Sequence, residues 1–216
     1  MELNITVPTK LNEITLGQYK KFIKIAKDND DVNDVQCKMM QIFCGVTQKD
    51  ANNMRYSDVE QITGNINELF LLQPPLVMHF YLNNIQYGFI PNLDDMTLGE
   101  YIDLDSFTGE YKNIEVAMNV LYRPVKKKVL DKYTIEDYNP DNKDKMLDMP
   151  MDAVISSLFF FLNLGMELSK ITQNSLRKLK PTQLELQKDL QQSMDGIRVW
   201  QHSLNTILSE LNISLN

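Results

Sequence analysis

The chain has 216 residues, a formal net charge of −7, 43% hydrophobic and 24% charged residues. That composition is globular and excludes collagenous, low-complexity and highly charged disordered chains. Gly and Pro number only 8 each, too few for a turn-rich β-sandwich or barrel, and the acidic balance makes nucleic acid an unsuitable main partner.

Residues 4–7 (NITV) read as a short strand stopped by Pro8. A helix is expected from Thr15, with Leu16, Tyr19, Phe22, Ile23 and Ala26 spaced for one buried face. Thr15 and Gln18 fit a capping box, in which each side chain takes the other residue's free backbone N–H. A second helix over about 33–44, ended by Gly45, carries Cys37 and Cys44. Seven helical residues span about 10.5 Å, beyond disulfide reach, so the two read as buried, reduced thiols. Short helices follow at about 48–53 and 58–72, the second capped by Ser57 and ended near Pro74 and Pro75.

Val77 to Leu82 and Ile85 to Ile90 are β-rich runs around Asn83-Asn84, and Asn accepts the left-handed backbone of a tight hairpin turn. Thr97 opens another helix, with Glu100 completing a second capping box. ITLGQY (14–19) and MTLGEY (96–101) agree at four of six positions, which reads as one cap and first turn used twice rather than a duplication. Residues 113–122 form an amphipathic helix, Val125 to Leu130 a strand, and Lys132 to Asp144 a polar loop. The triplet Lys126, Lys127 and Lys128 suits a solvated edge strand guarded by lysine.

Asp152 to Met166 is apolar nearly all round and is the expected central helix. Its most apolar run, Val154 to Leu164, falls short of the roughly 20 residues that span a bilayer. The N-terminus has no secretory pattern, so a soluble protein made in the cytoplasm is expected. Pro181 opens a last long helix in which Leu190, Ile197, Leu204 and Leu211 repeat every seven residues. Such a seam suits packing on its own domain or an interface with a partner. The fold class is therefore mainly α (α+β): a helical domain over 1–180 with small β elements near 77–90 and 125–130, and a C-terminal helix over 181–216.

Phosphate-loop, dinucleotide-binding and nucleophile-elbow motifs are missing, and His79, His202, Cys37 and Cys44 do not make a zinc set. No catalytic, cofactor-binding or metal residues are assigned. Asp94 and Asp95 suit the positive end of the helix that follows. Asp103, Asp105, Glu110 and Glu136 would support an enzyme only if folding brought them into one cleft. Twelve Met and the run Phe159-Phe160-Phe161 favour adaptable packing, in a core or on a partner surface. The lone Trp200 is a residue type enriched among interface hot spots.

The words IQYGFIPNLDDMTLGEYIDLDSF (85–107), NIEVAMNVLYRPV (113–125), YTIEDY (133–138) and MPMDAVISSLFFFLNLGMEL (149–168) resemble a family of uncharacterised proteins. That family is encoded in the virion and tail gene clusters of crAss-like tailed bacteriophages infecting Bacteroidetes. Four Ala against twenty Asn fit an AT-rich genome. The resemblance implies a non-enzymatic virion protein of the head–tail region or tail, or virion cargo. Its partners would be portal, ring or tail components, or further copies of itself, with no membrane and no cofactor. Leu190, Ile197, Trp200, Leu204 and Leu211 are the expected interface, with the 77–90 hairpin as a second contact element. The alternative is a tail assembly chaperone, active in the infected cell and absent from the mature particle.

Overall fold

Thr15 and Gln18 close the expected capping box, the two backbone-to-side-chain bonds measuring 2.9 and 3.2 Å. From there α1 (Leu16–Lys27) buries Leu16, Tyr19, Phe22 and Ile23. In this computed structural model the described residues are 5–106, 111–130, 132–179, 183–211 and 213. Asp31 caps α2 (Val32–Cys44), and Gly45, at φ 68°, ends it in the left-handed conformation that costs glycine nothing. Both cysteines of α2 are half-buried rather than buried; burial still pushes the Cys44 thiol up to about 11.

Two short helices follow, α3 (Gln48–Asn52) and α4 (Tyr56–Leu69). The second starts ahead of Ser57, behind an Arg55 that offers no side-chain cap. Its first turn is exposed, and the helix is held by its far end: Ile66 and Phe70 are buried, and Phe70 lies 4.4 Å from the Tyr19 ring and 5.9 Å from that of Phe43.

Residues 5–9 carry no regular structure, so the expected strand at 4–7 does not form within the described residues. Among the described residues no strand pairs with it to take its backbone groups. Val7 of this segment packs against the core and Pro8 is buried, and farther along an isolated antiparallel bridge joins Thr15 to Pro150. There the Leu16 N–H donates to Met149 O and the Met151 N–H to Ile14 O, both at 2.9 Å.

Four antiparallel strands form one sheet in the order β1 (His79–Leu82), β2 (Ile85–Phe89), β3 (Tyr122–Val129), β4 (Lys132–Ile135). Asn83 and Asn84, at φ 50° and 65°, make the two-residue turn between β1 and β2. The expected polar loop at 132–144 thus contains a strand, β4, then most of a 3₁₀ segment, Pro140–Asp148. Nothing in KYTI announces this, because its apolar positions become half-buried only once β3 lies beside them. The lysines stand on a strand that is inner in the sheet order, but β2 pairs only with Tyr122–Pro124, so Lys127 and Lys128 lie on the exposed half of β3 that pairs with β4 alone.

One sheet face is apolar, with Phe80, Leu82, Tyr87, Phe89 and Tyr122 buried. On the other, a Cβ on Gly88 would stand 2.6 Å from Tyr133 Cε2. Glycine there lets the Tyr133 ring lie over the sheet, donate to Phe89 O and pack 4.5 Å from His79.

Thr97 and Glu100 cap α5 (Leu98–Ser106), and α6 (Ile114–Leu121) is almost wholly buried. The chain ends in two long helices, α7 (Met151–Lys178) and α8 (Leu184–Glu210). The first half of α7 is the central element: Met151, Ala153, Val154, Ile155, Leu158 and Phe161 are buried, and Phe160 meets Phe89 at 5.5 Å. The result is a mainly α, α+β protein with a small sheet and a long C-terminal helix. The helix that holds the apolar run Val154 to Leu164 extends to Lys178, so α7 is long and apolar enough to cross a membrane. However, 61% of its most apolar window is buried inside the protein.

Candidate interaction surface

Exposure changes sharply along the last two helices. No described residue of α7 after Gly165 is buried, and none of α8 before Met194. Thirteen residues of α7, about 20 Å of helix, therefore stand out from the core as one side of a two-helix arm. At its base the Trp200 ring meets Phe161 edge-to-face at 5.7 Å. Farther out the helices face each other through half-buried Ser169, Thr172 and Leu176 on α7, and through half-buried Leu190 and Ile197 and buried Met194 on α8. Thr172 and Ser175 donate to carbonyls of their own helix, so they make no demand on a partner.

The five residues expected to form an interface divide along this axis. Leu204 and Leu211 are 4% and 0% exposed and belong to the chain's own core, which corrects the expectation for them. The Tyr19 hydroxyl donates to Leu211 O and ties the end of α8 to α1. Trp200 is half-buried against Phe161 and Gly165. Leu190 and Ile197 lie on the arm, half-buried in its internal seam. The seven-residue repeat thus serves first to hold α8 on α7.

The surface that does face outward lies mainly on α7. Phe161, Leu164, Leu168 and Ile171 recur at spacings of three and four, so they share one side of the helix. Exposure climbs along them, from 7% at Phe161 to 41% at Leu168 and 61% at Ile171. Met166, Leu186 and Val199 add exposed apolar area on the arm. Sequence reasoning missed this stripe because it stopped the helix at Met166. The signal was present in the apolar spacing that continues through Leu168 and Ile171.

Polar groups gather elsewhere. Glu100 Oε1 lies 2.5 Å from Arg123 Nη1, with side chains 3% and 10% exposed. Glu100 Oε2 accepts the Thr97 N–H at 2.6 Å. Nearby, the Tyr138 hydroxyl donates to Asp103 at 2.6 Å, and the Asn119 amide donates to Asn139 O at 2.9 Å. Burial, helped by the Asp103 charge, drives the Tyr138 phenol well above its ordinary range. Glu100 thus spends one oxygen on a cap and the other on an ion pair, so the group serves as a buried brace between α5 and the sheet. Glu136 is exposed; Glu110 and the Asp105 side chain lie outside the described residues. Among the described residues no His, Cys, Asp and Glu cluster could hold a metal ion.

Two open grooves complete the surface. One, of about 500 Å³, lies between α1, α2 and the end of α8 and is lined by Phe22, Ile23, Ala26, Val35 and Met39. Another is ringed by Lys20, Lys21, Lys24, Lys27 and Lys112, with Lys20 paired to Glu115. What fold and surface define is a mainly helical protein whose most distinctive exposed feature is a projecting, partly apolar helical hairpin. In comparison with known proteins, no family model, curated protein or solved structure matches the chain.

Proposed function

We propose that this chain is a non-enzymatic structural or interaction protein of a tailed bacteriophage virion, in the head–tail or tail region or carried as cargo, and that it works by binding other virion proteins. The observation that carries the binding role is the apolar stripe that leaves the core at Phe161 and ends in solvent at Ile171. Large exposed apolar side chains on a rigid projecting element are what a partner's surface covers on assembly. The sequence words between 85 and 168 support the phage setting, and in this reading the protein joins the particle after synthesis in the host cytoplasm. Portal, ring or tail components are the partners that setting offers.

Quantitative mass spectrometry of purified particles tests the reading. A structural component is expected at a fixed copy number beside the major tail proteins. A protein abundant in the infected cell and missing from particles would replace it with the assembly-chaperone role. In either role, Ile171→Glu and Leu168→Glu are expected to abolish co-purification of the partner while leaving the circular dichroism spectrum unchanged.

A further inference from the structure

We propose that β1 is a dimerisation strand, through which two copies of the chain pair antiparallel and join their sheets into one. This surface is separate from the α7–α8 arm and does not depend on a phage setting. The backbone supplies the first argument. β1 is an outermost strand of the sheet, and the two-residue turn sets which of its residues bond to β2. Leu82 faces Ile85 and Phe80 faces Tyr87 as hydrogen-bonded pairs, and Phe89 N–H donates to Met78 O at 2.9 Å. Met78, Phe80 and Leu82 therefore turn their backbone groups toward β2. His79 and Tyr81 turn theirs outward, leaving two N–H and two C=O groups along the open edge.

The side chains supply the second argument. Strand edges are usually guarded by Lys, Pro or a bulge, and the opposite side of the sheet follows that rule. A register shift lies between Val125 and Lys127, and Lys127, Lys128 and Lys132 crowd the β3–β4 pair. β1 has none of this: its sequence is HFYL, and its register with β2 is continuous. Tyr81 is 70% exposed, and on the other face of the hairpin Met78 and Ile85 are 42% and 50% exposed.

The third argument identifies the occupant. Between Glu68 and Asp94 the sequence contains no Asp, Glu, Lys or Arg, in a chain that is 24% charged with a net charge of −7. Two identical acidic molecules repel each other over most of their surfaces, and this is a stretch where they approach without like charges facing. The edge is also self-complementary. With a two-fold axis at Phe80, His79 of one copy stands opposite Tyr81 of the other. Each outward N–H then meets an outward C=O, giving four hydrogen bonds across a closed, isologous contact. A strand of four residues makes the contact small, so the dimer is expected to be concentration-dependent.

Light scattering after size exclusion tests this, with the wild type run over a concentration series beside Tyr81→Pro, Tyr81→Lys and Ile171→Glu. Tyr81→Pro removes an outward N–H that the β1–β2 ladder does not use. Tyr81→Lys keeps that N–H and adds a guard charge at a solvent-facing position, so the test stands even if proline disturbs the hairpin. The wild type is expected to reach twice the chain mass. Both Tyr81 variants should weaken dimerisation about tenfold or more, the effect of losing two of the four hydrogen bonds, one from each copy, or of adding a guard lysine on each copy, while Ile171→Glu leaves it unchanged. Hydrogen exchange should slow at the His79 and Tyr81 amides as concentration rises. A wild type that stays monomeric up to about 100 µM overturns the proposal. A dimer that survives both Tyr81 changes and dissolves in Ile171→Glu also overturns it and assigns self-association to the arm.

Discussion

The indole of Trp200 lies against the backbone of Gly165: a Cβ on that glycine would stand 2.9 Å from Cζ3 and 3.1 Å from Cε3. An aromatic ring packed against Phe161 has little freedom to retreat. The pair sets the distance between α7 and α8 where the arm leaves the core. Gly165→Ala gains about 1 kcal/mol of helix propensity and loses about 1–3 kcal/mol to overpacking. A net loss of up to about 2 kcal/mol is expected. The chain has one Trp, so urea unfolding followed by its fluorescence reads this site directly. In a Trp200→Leu background, where circular dichroism is the probe, the alanine is expected to be neutral or stabilising.

The heptad line and the exposed stripe call for opposite outcomes. Leu204→Ala empties a buried site and should cost about 2–4 kcal/mol in chemical denaturation. Ile171→Glu changes a residue that is 61% exposed and should stay within about 0.5 kcal/mol of the wild type. If Leu204→Ala proved as mild as Ile171→Glu, α8 would not be packed on the core in solution.

Removing one partner of the Glu100–Arg123 pair leaves a buried charge without its counterion. Glu100→Gln keeps an oxygen for the Thr97 N–H and still should cost about 3 kcal/mol or more. The double change Glu100→Gln with Arg123→Met should cost less than the sum of the two single changes, since no uncompensated charge remains. Thermal melts of the four proteins close the cycle.

His79 gives stability a pH dependence of definite sign. Its Nε2 is buried with no partner among the described residues. Burial first, and the Lys128 charge second, lower its pKa below the ordinary value. The native state therefore holds the ring neutral. As pH falls through the unfolded-state value of about 6.5, the unfolded chain takes up a proton first and stability declines. His79→Phe retains the packing on Tyr133 and is expected to flatten that slope in melts between roughly pH 5 and 7. An unchanged slope in the variant would assign it to other groups.

Two nearly identical words show how far sequence carried the fold. ITLGQY and MTLGEY each build a capping box, as Thr15 with Gln18 and Thr97 with Glu100. Yet Leu16 and Tyr19 of the first are 0% and 1% exposed, while Leu98 and Tyr101 of the second are 75% and 59% exposed. The cap is a local matter of four residues, whereas burial depends on what arrives from elsewhere. The candidate surface divides the same way: the heptad spacing of α8 was legible, but which of its sides would be covered was not.

By itself, the sequence determined the boxed helix starts at Thr15 and Thr97, the Asn83-Asn84 turn and the mainly α class, because capping, left-handed turns and apolar period act over a few neighbouring residues. Only the tertiary structure decided that β4 exists, that the lysine-bearing half of β3 pairs with it, and that Leu204 and Leu211 belong to the core. It also left Leu168 and Ile171 uncovered on the arm. Those outcomes depend on which distant segments meet, and a hydrophobic side chain carries no label for the surface that will bury it.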